Sequence, residues 1–292
     1  MNNIPLCSRR AMLQSLGAGT AAALAPILSI AAEPKGSTSA KINGNIKQSV
    51  CRWCYGKIPL EQLAEASAKM GFKSVELLTI DDYKKLKPLG LTCAMLSGPS
   101  LTDGISHPEN HEKIIEILKR NIEFAADEGL PNVIVHAGNR KGMSDEEGAD
   151  NCAVAMKKLA GLAEEKKVTI CMELLNSKVD HKDNMCDHTK WGVGVVKKVG
   201  SEHFKLLYDV YHMQIMEGDV IRTIRENKDY IAHYHTGGVP GRHEIDDAQE
   251  LNYPAIVKAV LETGYKGYLG QEFIPARDPL TSLEQAFRIC DV

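Results

Sequence analysis

Val168-Thr169-Ile170-Cys171-Met172-Glu173 is rich in β-branched and apolar residues and closes on an acid. A near-continuous apolar run of this length suits a parallel strand buried on both faces. The same composition recurs outward from it. Phe204 to Asp209, Tyr230 to His235 and Tyr268 to Glu272 follow toward the C-terminus, and Ile46 to Cys51, Lys73 to Leu78, Leu91 to Leu96 and Asn132 to His136 precede it. Between these runs lie amphipathic patterns, such as Leu60, Leu63, Ala64, Ser67 and Met70, or Ile114, Ile117, Leu118, Ile122 and Ala125, with apolar positions three and four apart. Eight strands alternating with helices read as parallel βαβ units that close into one (β/α)8 TIM barrel over residues 46–292. An open doubly wound sheet is the alternative, but no G-x-G-x-x-G follows the first strand. The longest helix is expected after the third strand, over Pro108 to Glu128, stopped by Gly129-Leu130-Pro131.

A chain of 292 residues with 43% hydrophobic content is long enough for one large core. Acids and bases are interspersed and the net charge is -3, so no basic surplus points to nucleic acid as a partner. The first 32 residues differ from the rest. Ser8-Arg9-Arg10 precedes an Ala-rich apolar stretch from Leu16 to Ala32 that is interrupted by Gly17, Gly19 and Pro26 and is short for a bilayer span. Charged start, apolar middle and small-residue end are the layout of an export signal, and the paired arginines resemble the twin-arginine class, which implies a periplasmic or exported protein. Residues 33–45 read as a flexible polar lead-in, and the mature form is expected to have no stable membrane span. Seven cysteines remain beyond Cys7 at irregular spacings, which suits free thiols better than a disulfide framework. The Cys51/Cys54 pair lacks the further ligands of a structural zinc site.

Four consecutive strand candidates, the fifth to the eighth, end on Glu173, Asp209, His235 and Glu272, separated by 36, 26 and 37 residues. Those gaps are about one βα unit each, so all four side chains reach one point above the barrel, where the fold places active sites. Three carboxylates and an imidazole suit a divalent cation such as Mn, Mg, Co or Zn. Taken singly, a strand-terminal Asp caps a helix and a lone His is a satisfied structural residue; taken together they make a site.

Glu173-Leu174-Leu175-Asn176-Ser177 with His181, then Tyr208-Asp209-Val210-Tyr211-His212-Met213-Gln214, then His235-Thr236-Gly237-Gly238-Val239-Pro240-Gly241-Arg242-His243-Glu244 resemble the hydroxypyruvate isomerase family, among xylose isomerase-like barrels that also include ketose 3-epimerases and endonuclease IV. The resemblance spans Arg52-Trp53-Cys54 through Gly270-Gln271-Glu272-Phe273. It implies that Glu173 and Glu272 exchange a proton beside a carbonyl of a small hydroxy-carbonyl substrate, hydroxypyruvate to tartronate semialdehyde in the simplest case. It also implies that the metal ligands are Glu173, Asp209, His235 and Glu272. His212 resembles the substrate-facing histidine of the ketose epimerases, or else is a helix-terminal residue facing solvent. Arg242 is suited to clamping a substrate carboxylate, or else pairs with Glu244 or Asp246. His136, His181 and Trp53 either line the pocket or pack the barrel layers. Some hydroxypyruvate isomerases carry glutamine where this chain has His235, the residue of the metal-dependent epimerase branch. That departure, together with export, opens ketose 3-epimerisation or a non-catalytic carbohydrate-binding barrel as alternatives, and leaves room for a homo-oligomer.

Overall fold

The computed structural model describes residues 41–292; the expected export signal and residues 33–40 of the lead-in lie outside the described residues. Seven parallel strands, β1 (Lys47–Cys51), β2 (Ser74–Glu76), β3 (Asn132–Val135), β4 (Thr169–Glu173), β5 (Phe204–Asp209), β6 (Ile231–Thr236) and β7 (Tyr268–Gln271), follow the order β2-β1-β7-β6-β5-β4-β3. The β2 and β3 edges are joined by the eighth apolar run. Leu77 N–H donates to Met95 O at 2.8 Å, and on the other side Leu96 N–H donates to Asn132 O at 3.0 Å. This run closes the barrel without becoming a regular strand, because the backbone of Ala94 is claimed by side chains. Its N–H donates to Ser74 Oγ at 2.7 Å and its carbonyl accepts from Asn132 Nδ2 at 2.8 Å. Side chains thus satisfy the groups a ladder would have used.

Nine helices are described: α1 (Leu60–Met70), α2 (Ile80–Leu86), α3 (His111–Glu128), α4 (Asp145–Lys166), α5 (Thr189–Val199), α6 (Val210–Met216), α7 (Val220–Asn227), α8 (Tyr253–Glu262) and α9 (Pro279–Cys290). The expected longest helix, α3, ends where Gly129 adopts φ 68°, but its 18 residues are exceeded by the 22 of α4. That correction has a physical reason. The buried face of α4 is made largely of small residues, Gly148, Ala149, Ala153, Ala155 and Ala163, which give a weak apolar stripe in sequence. Its start is nevertheless well specified, since Ser144 caps Glu147 N–H and Asp145, Glu146 and Glu147 occupy the positive end of the helix.

The main core lies between the barrel and its helices, while Met95, Ile134, Cys171 and Leu207 form a small second cluster. Asn43 and Asn45 tie the chain entering β1 to the C-terminal residues Asp291 and Val292. All seven described cysteines are free, and no described helix is long and apolar enough to cross a membrane.

Candidate metal centre and active site

Glu173 and Asp209 are the last residues of β4 and β5, His235 is the penultimate residue of β6, and Glu272 directly follows β7. One ligand atom from each lies within 4.8 Å of the others, and all four residues are buried. Parallel strands of a sheared barrel are offset along their axes, so equal height does not mean equal register. Glu173 is paired with Leu207, two residues before Asp209, and His235 with Gly270, two before Glu272, whereas Asp209 and His235 are direct partners. The last pairing depends on a bulge. Leu206 pairs with Ile231 but Leu207 with His233, leaving Ala232 out of the ladder. An unbulged ladder would bring Tyr234 beside Asp209 in place of His235.

The cluster is rich in negative charge. Burial opposes ionisation of all three acids, and they differ in what offsets it. For Glu173, His136 at 3.1 Å and His235 hold the carboxyl down at about 2. For Glu272, the nearby His235 and Arg242 hold it well below the usual range. Asp209 is pushed well up by burial despite Arg242. Burial disfavours the His235 imidazolium, yet Cys51 and Glu272 raise its pKa well above that of an ordinary histidine. The protein alone therefore draws positive charge into this cluster. His235 Nδ1 lies 2.7 Å from Glu272 Oε2 and 3.7 Å from Glu173 Oε1 without the alignment of a hydrogen bond, and no other group satisfies it. A buried, unsatisfied nitrogen aimed among carboxylate oxygens is the donor geometry a divalent cation takes, so the four residues fit the metal expected from the sequence.

A cavity of about 390 Å³ opens over this cluster, lined by Trp53, His136, Glu173, His181, Arg242 and Glu272 together with an apolar wall that includes Leu77, Leu101, Ile134 and Leu175. Its floor is tight at Gly98, where a Cβ would stand 2.1 Å from Ile134 O. Trp53, 45% exposed, donates its indole N–H to Glu272 Oε1 at 2.6 Å. His136, His181 and Trp53 all face the cavity.

Arg242 is buried between the Trp53 and Tyr211 rings and reaches Glu272 Oε2 at 2.7 Å and Asp209 Oδ2 at 3.2 Å. The alternative pairing with Glu244 or Asp246 is not formed, because Arg277 takes both of those acids. His212, fully buried in α6, does not face solvent. Its Nε2 lies 3.6 Å from Asp209 Oδ2, its Nδ1 2.7 Å from Asn176 Nδ2, and it is absent from the cavity wall. Asp209 also caps α6 through His212 N–H, so it serves as cap and cluster member together.

Five residues around the site were not singled out from the sequence. Glu76 at the end of β2 accepts from His235 and His233 at 2.7 and 2.9 Å. Asn176 and Tyr211 both donate to Asp180, behind His212. Glu76 and His233 carried a signal, since an acid ends β2 and His233 is two residues before His235, hence on the same strand face. Asn176 and Tyr211 stood inside the quoted motifs, but their meeting at Asp180 gave no signal, because the loop after β4 and the start of α6 come together only in the fold.

The loop carrying Arg242 is held by Glu244, which accepts from Ala276 N–H, Arg277 N–H and Ser282 Oγ at 3.0, 3.0 and 2.8 Å. Burial opposes its charge, but Ser282 and the backbone donors hold its pKa at about 2. A depressed carboxyl contributes stability that is complete above about pH 4.5 and is lost as pH falls through about 2. Glu244→Gln is expected to cost about 1.5–3 kcal/mol at pH 7, in the range of hydrogen bonds to a charged group. Denaturant titrations should show the gap narrowing below pH 4.5; a gap constant with pH would mean that the charge is not its source.

Four known proteins are similar to this chain. A human protein provisionally named a hydroxypyruvate isomerase is 26% identical over 241 residues, covering 79% of this chain and 80% of that protein. A 2-oxo-tetronate isomerase of Cupriavidus necator is 29% identical over 231 residues, covering 74% and 87%. Among solved structures, the 3-keto-D-glucoside 4-epimerase of E. coli superposes with a TM-score of 0.72 at 19% identity, covering 84% of this chain and all of that one. The IOLI protein with a bound zinc atom superposes with a TM-score of 0.64 at 16% identity, covering 84% and 95%. The family model of the xylose isomerase-like TIM barrel matches residues 64–290, from within α1 to the end of α9, and with the closed parallel barrel already described the chain belongs to that family.

Proposed function

We propose that this protein is an isomerase that moves a proton between neighbouring carbons of a small hydroxy-carbonyl acid or sugar, with hydroxypyruvate to tartronate semialdehyde as the leading reaction. The observation that carries the reading is that Glu173 and Glu272 both reach the cavity wall from opposite ends of the cluster, each held by different partners. One carboxylate takes the proton beside the carbonyl and the other returns it at the next carbon. His136 fixes one oxygen of Glu173, and Trp53 and Arg242 fix both oxygens of Glu272, so the second oxygen of Glu173 is the freer of the two pairs. When bound at Glu173, Asp209, His235 and Glu272, a divalent cation of the Mn, Mg, Co or Zn kind supplies Lewis-acid stabilisation of the negative charge that develops on the substrate oxygens. Arg242 lines the cavity, and its Nη1, which makes no hydrogen bond among the described residues, is the donor left over for a substrate oxygen. The names of the human and Cupriavidus necator relatives support isomerase chemistry on a hydroxy-carbonyl acid, and the zinc of the IOLI protein supports the metal.

Ketose 3-epimerisation is the second reading, favoured by His235 at the ligand position and by a cavity roomy enough for a sugar. The test is the protein loaded with Mn or Mg in D2O, supplied with hydroxypyruvate and free ketoses of three to six carbons. Deuterium entering hydroxypyruvate-derived product supports the first reading. Activity on ketoses alone sinks it in favour of the second, and exchange with none sinks both. We also propose export through the twin-arginine-type segment at residues 1–32. Replacing Arg9 and Arg10 by Lys should leave the protein in the cytoplasmic fraction of cells that otherwise export it, and unchanged fractionation would refute this.

A further inference from the structure

We propose that Glu76 is a positioning residue for the metal centre, accepting the Nε2 hydrogen of His235 and so fixing the tautomer whose bare Nδ1 faces Glu173 and Glu272. The inference rests on the metal reading of the cluster. A neutral imidazole carries one hydrogen on two nitrogens, and the partner of one nitrogen decides what the other offers. Glu76 Oε1 stands 2.7 Å from His235 Nε2, while Nδ1 on the opposite edge of the same ring has no hydrogen-bond partner. In the reverse tautomer the buried Nε2 lone pair would face the Glu76 carboxylate with only the weak thiol donor of Cys51, 3.7 Å away, whereas the carboxylate 2.7 Å from Nδ1 is one of those a bound cation would neutralise.

The structure is built to hold this pair. At Gly270 of β7 a Cβ would stand 2.6 Å from Glu76 Oε1 and 2.7 Å from His235 Cδ2, so only a bare backbone lets the two side chains meet there. His233 donates to the same oxygen at 2.9 Å, with its ring edge-on to His235 at 5.0 Å, and limits the swing of the carboxylate. Cys51 Sγ approaches it at 3.6 Å from β1. Second partners of this kind orient a ligating imidazole and raise its basicity, and their loss typically lowers metal affinity by about 10–100-fold. The competing account is that Glu76 is a buried strut whose business is His233.

Calorimetric titration of the chelator-stripped full chain with zinc alone separates the two. Glu76→Gln keeps the shape but weakens the acceptor, and should lower zinc affinity by about 10–100-fold. His233→Phe removes one donor to Glu76 but leaves the Glu76–His235 contact in place, and should lower affinity by clearly less than Glu76→Gln does. Equal losses in both variants, or no loss in Glu76→Gln, overturn the inference while leaving the metal site standing; no binding by the wild type overturns both. If either variant does not fold, the wild type still decides. In zinc-loaded protein, ¹⁵N shifts of the His235 ring should show Nε2 protonated and Nδ1 unprotonated and zinc-bound, and an unprotonated Nε2 refutes the proposal.

Discussion

Glu173→Gln is expected to lower turnover by about 10²–10⁴-fold at saturating metal, the range a positioned general acid or base contributes. Gln matches Glu in shape and still offers His136 an acceptor, so the barrel end should be preserved while the ability to take a proton is lost. Because Glu173 also belongs to the cluster proposed to hold the metal, bound metal has to be measured on the same sample and brought to the wild-type level before rates are compared. Glu272→Gln should be equally slow in net conversion, but the two defects should differ in kind. If one carboxylate removes the proton and the other returns it, the variant that keeps the remover still exchanges substrate hydrogen for deuterium without forming product, and the other variant does neither. Both variants retaining more than a tenth of wild-type turnover would refute the assignment of the proton carriers.

Asp209→Asn should remove most of the thermal stabilisation that a divalent cation gives. At metal concentrations about a hundredfold above the dissociation constant, that stabilisation is about 2.7 kcal/mol. The variant keeps the cap of α6, since an amide oxygen can still accept from His212 N–H, the contact Asp209 makes at 3.2 Å, while Arg242 gives up its 3.2 Å contact to Oδ2 and keeps Glu272. Asp209 is also the acid whose charge the fold tolerates least, its pKa pushed well up by burial and only partly offset by Arg242. The unfolded chain ionises near 3.8 and the folded one only at higher pH, so metal-free wild type loses stability as pH rises above about 3.8 through the folded value. The Asn variant lacks that loss. Metal-free at pH 7 it should be as stable as wild type or more so, yet gain little from Mn. A full wild-type gain in melting temperature with Mn would show that Asp209 is not a ligand.

Much of this was legible in the sequence because strand ends are a local property. Each of Glu173, Asp209, His235 and Glu272 closes an apolar run, and a barrel gathers such ends at one face whatever the loops do. The eighth run, Leu91 to Leu96, was equally visible as apolar. Its departure from regular pairing was not, because that comes from Ser74 and Asn132 capturing the backbone of Ala94 across the sheet. The length of α4 was hidden by its small-residue face. Arg242 was readable as a site residue, but its partners were not. In sequence Glu244 and Asp246 are near and Asp209 and Glu272 are far, and only the packed loop reverses that order.

By itself, then, the sequence determined the alternation of strand and helix, the barrel, and the four side chains at its mouth, since all of these follow from periodicity and from where apolar runs stop. Tertiary structure decided which of those side chains share a level and what stands behind them. The bulge at Ala232 brings His235 rather than Tyr234 beside Asp209, and the missing side chain of Gly270 lets Glu76 reach the ring from a strand 159 residues away. Register and close approach depend on neighbouring strands, whose offsets no single segment encodes.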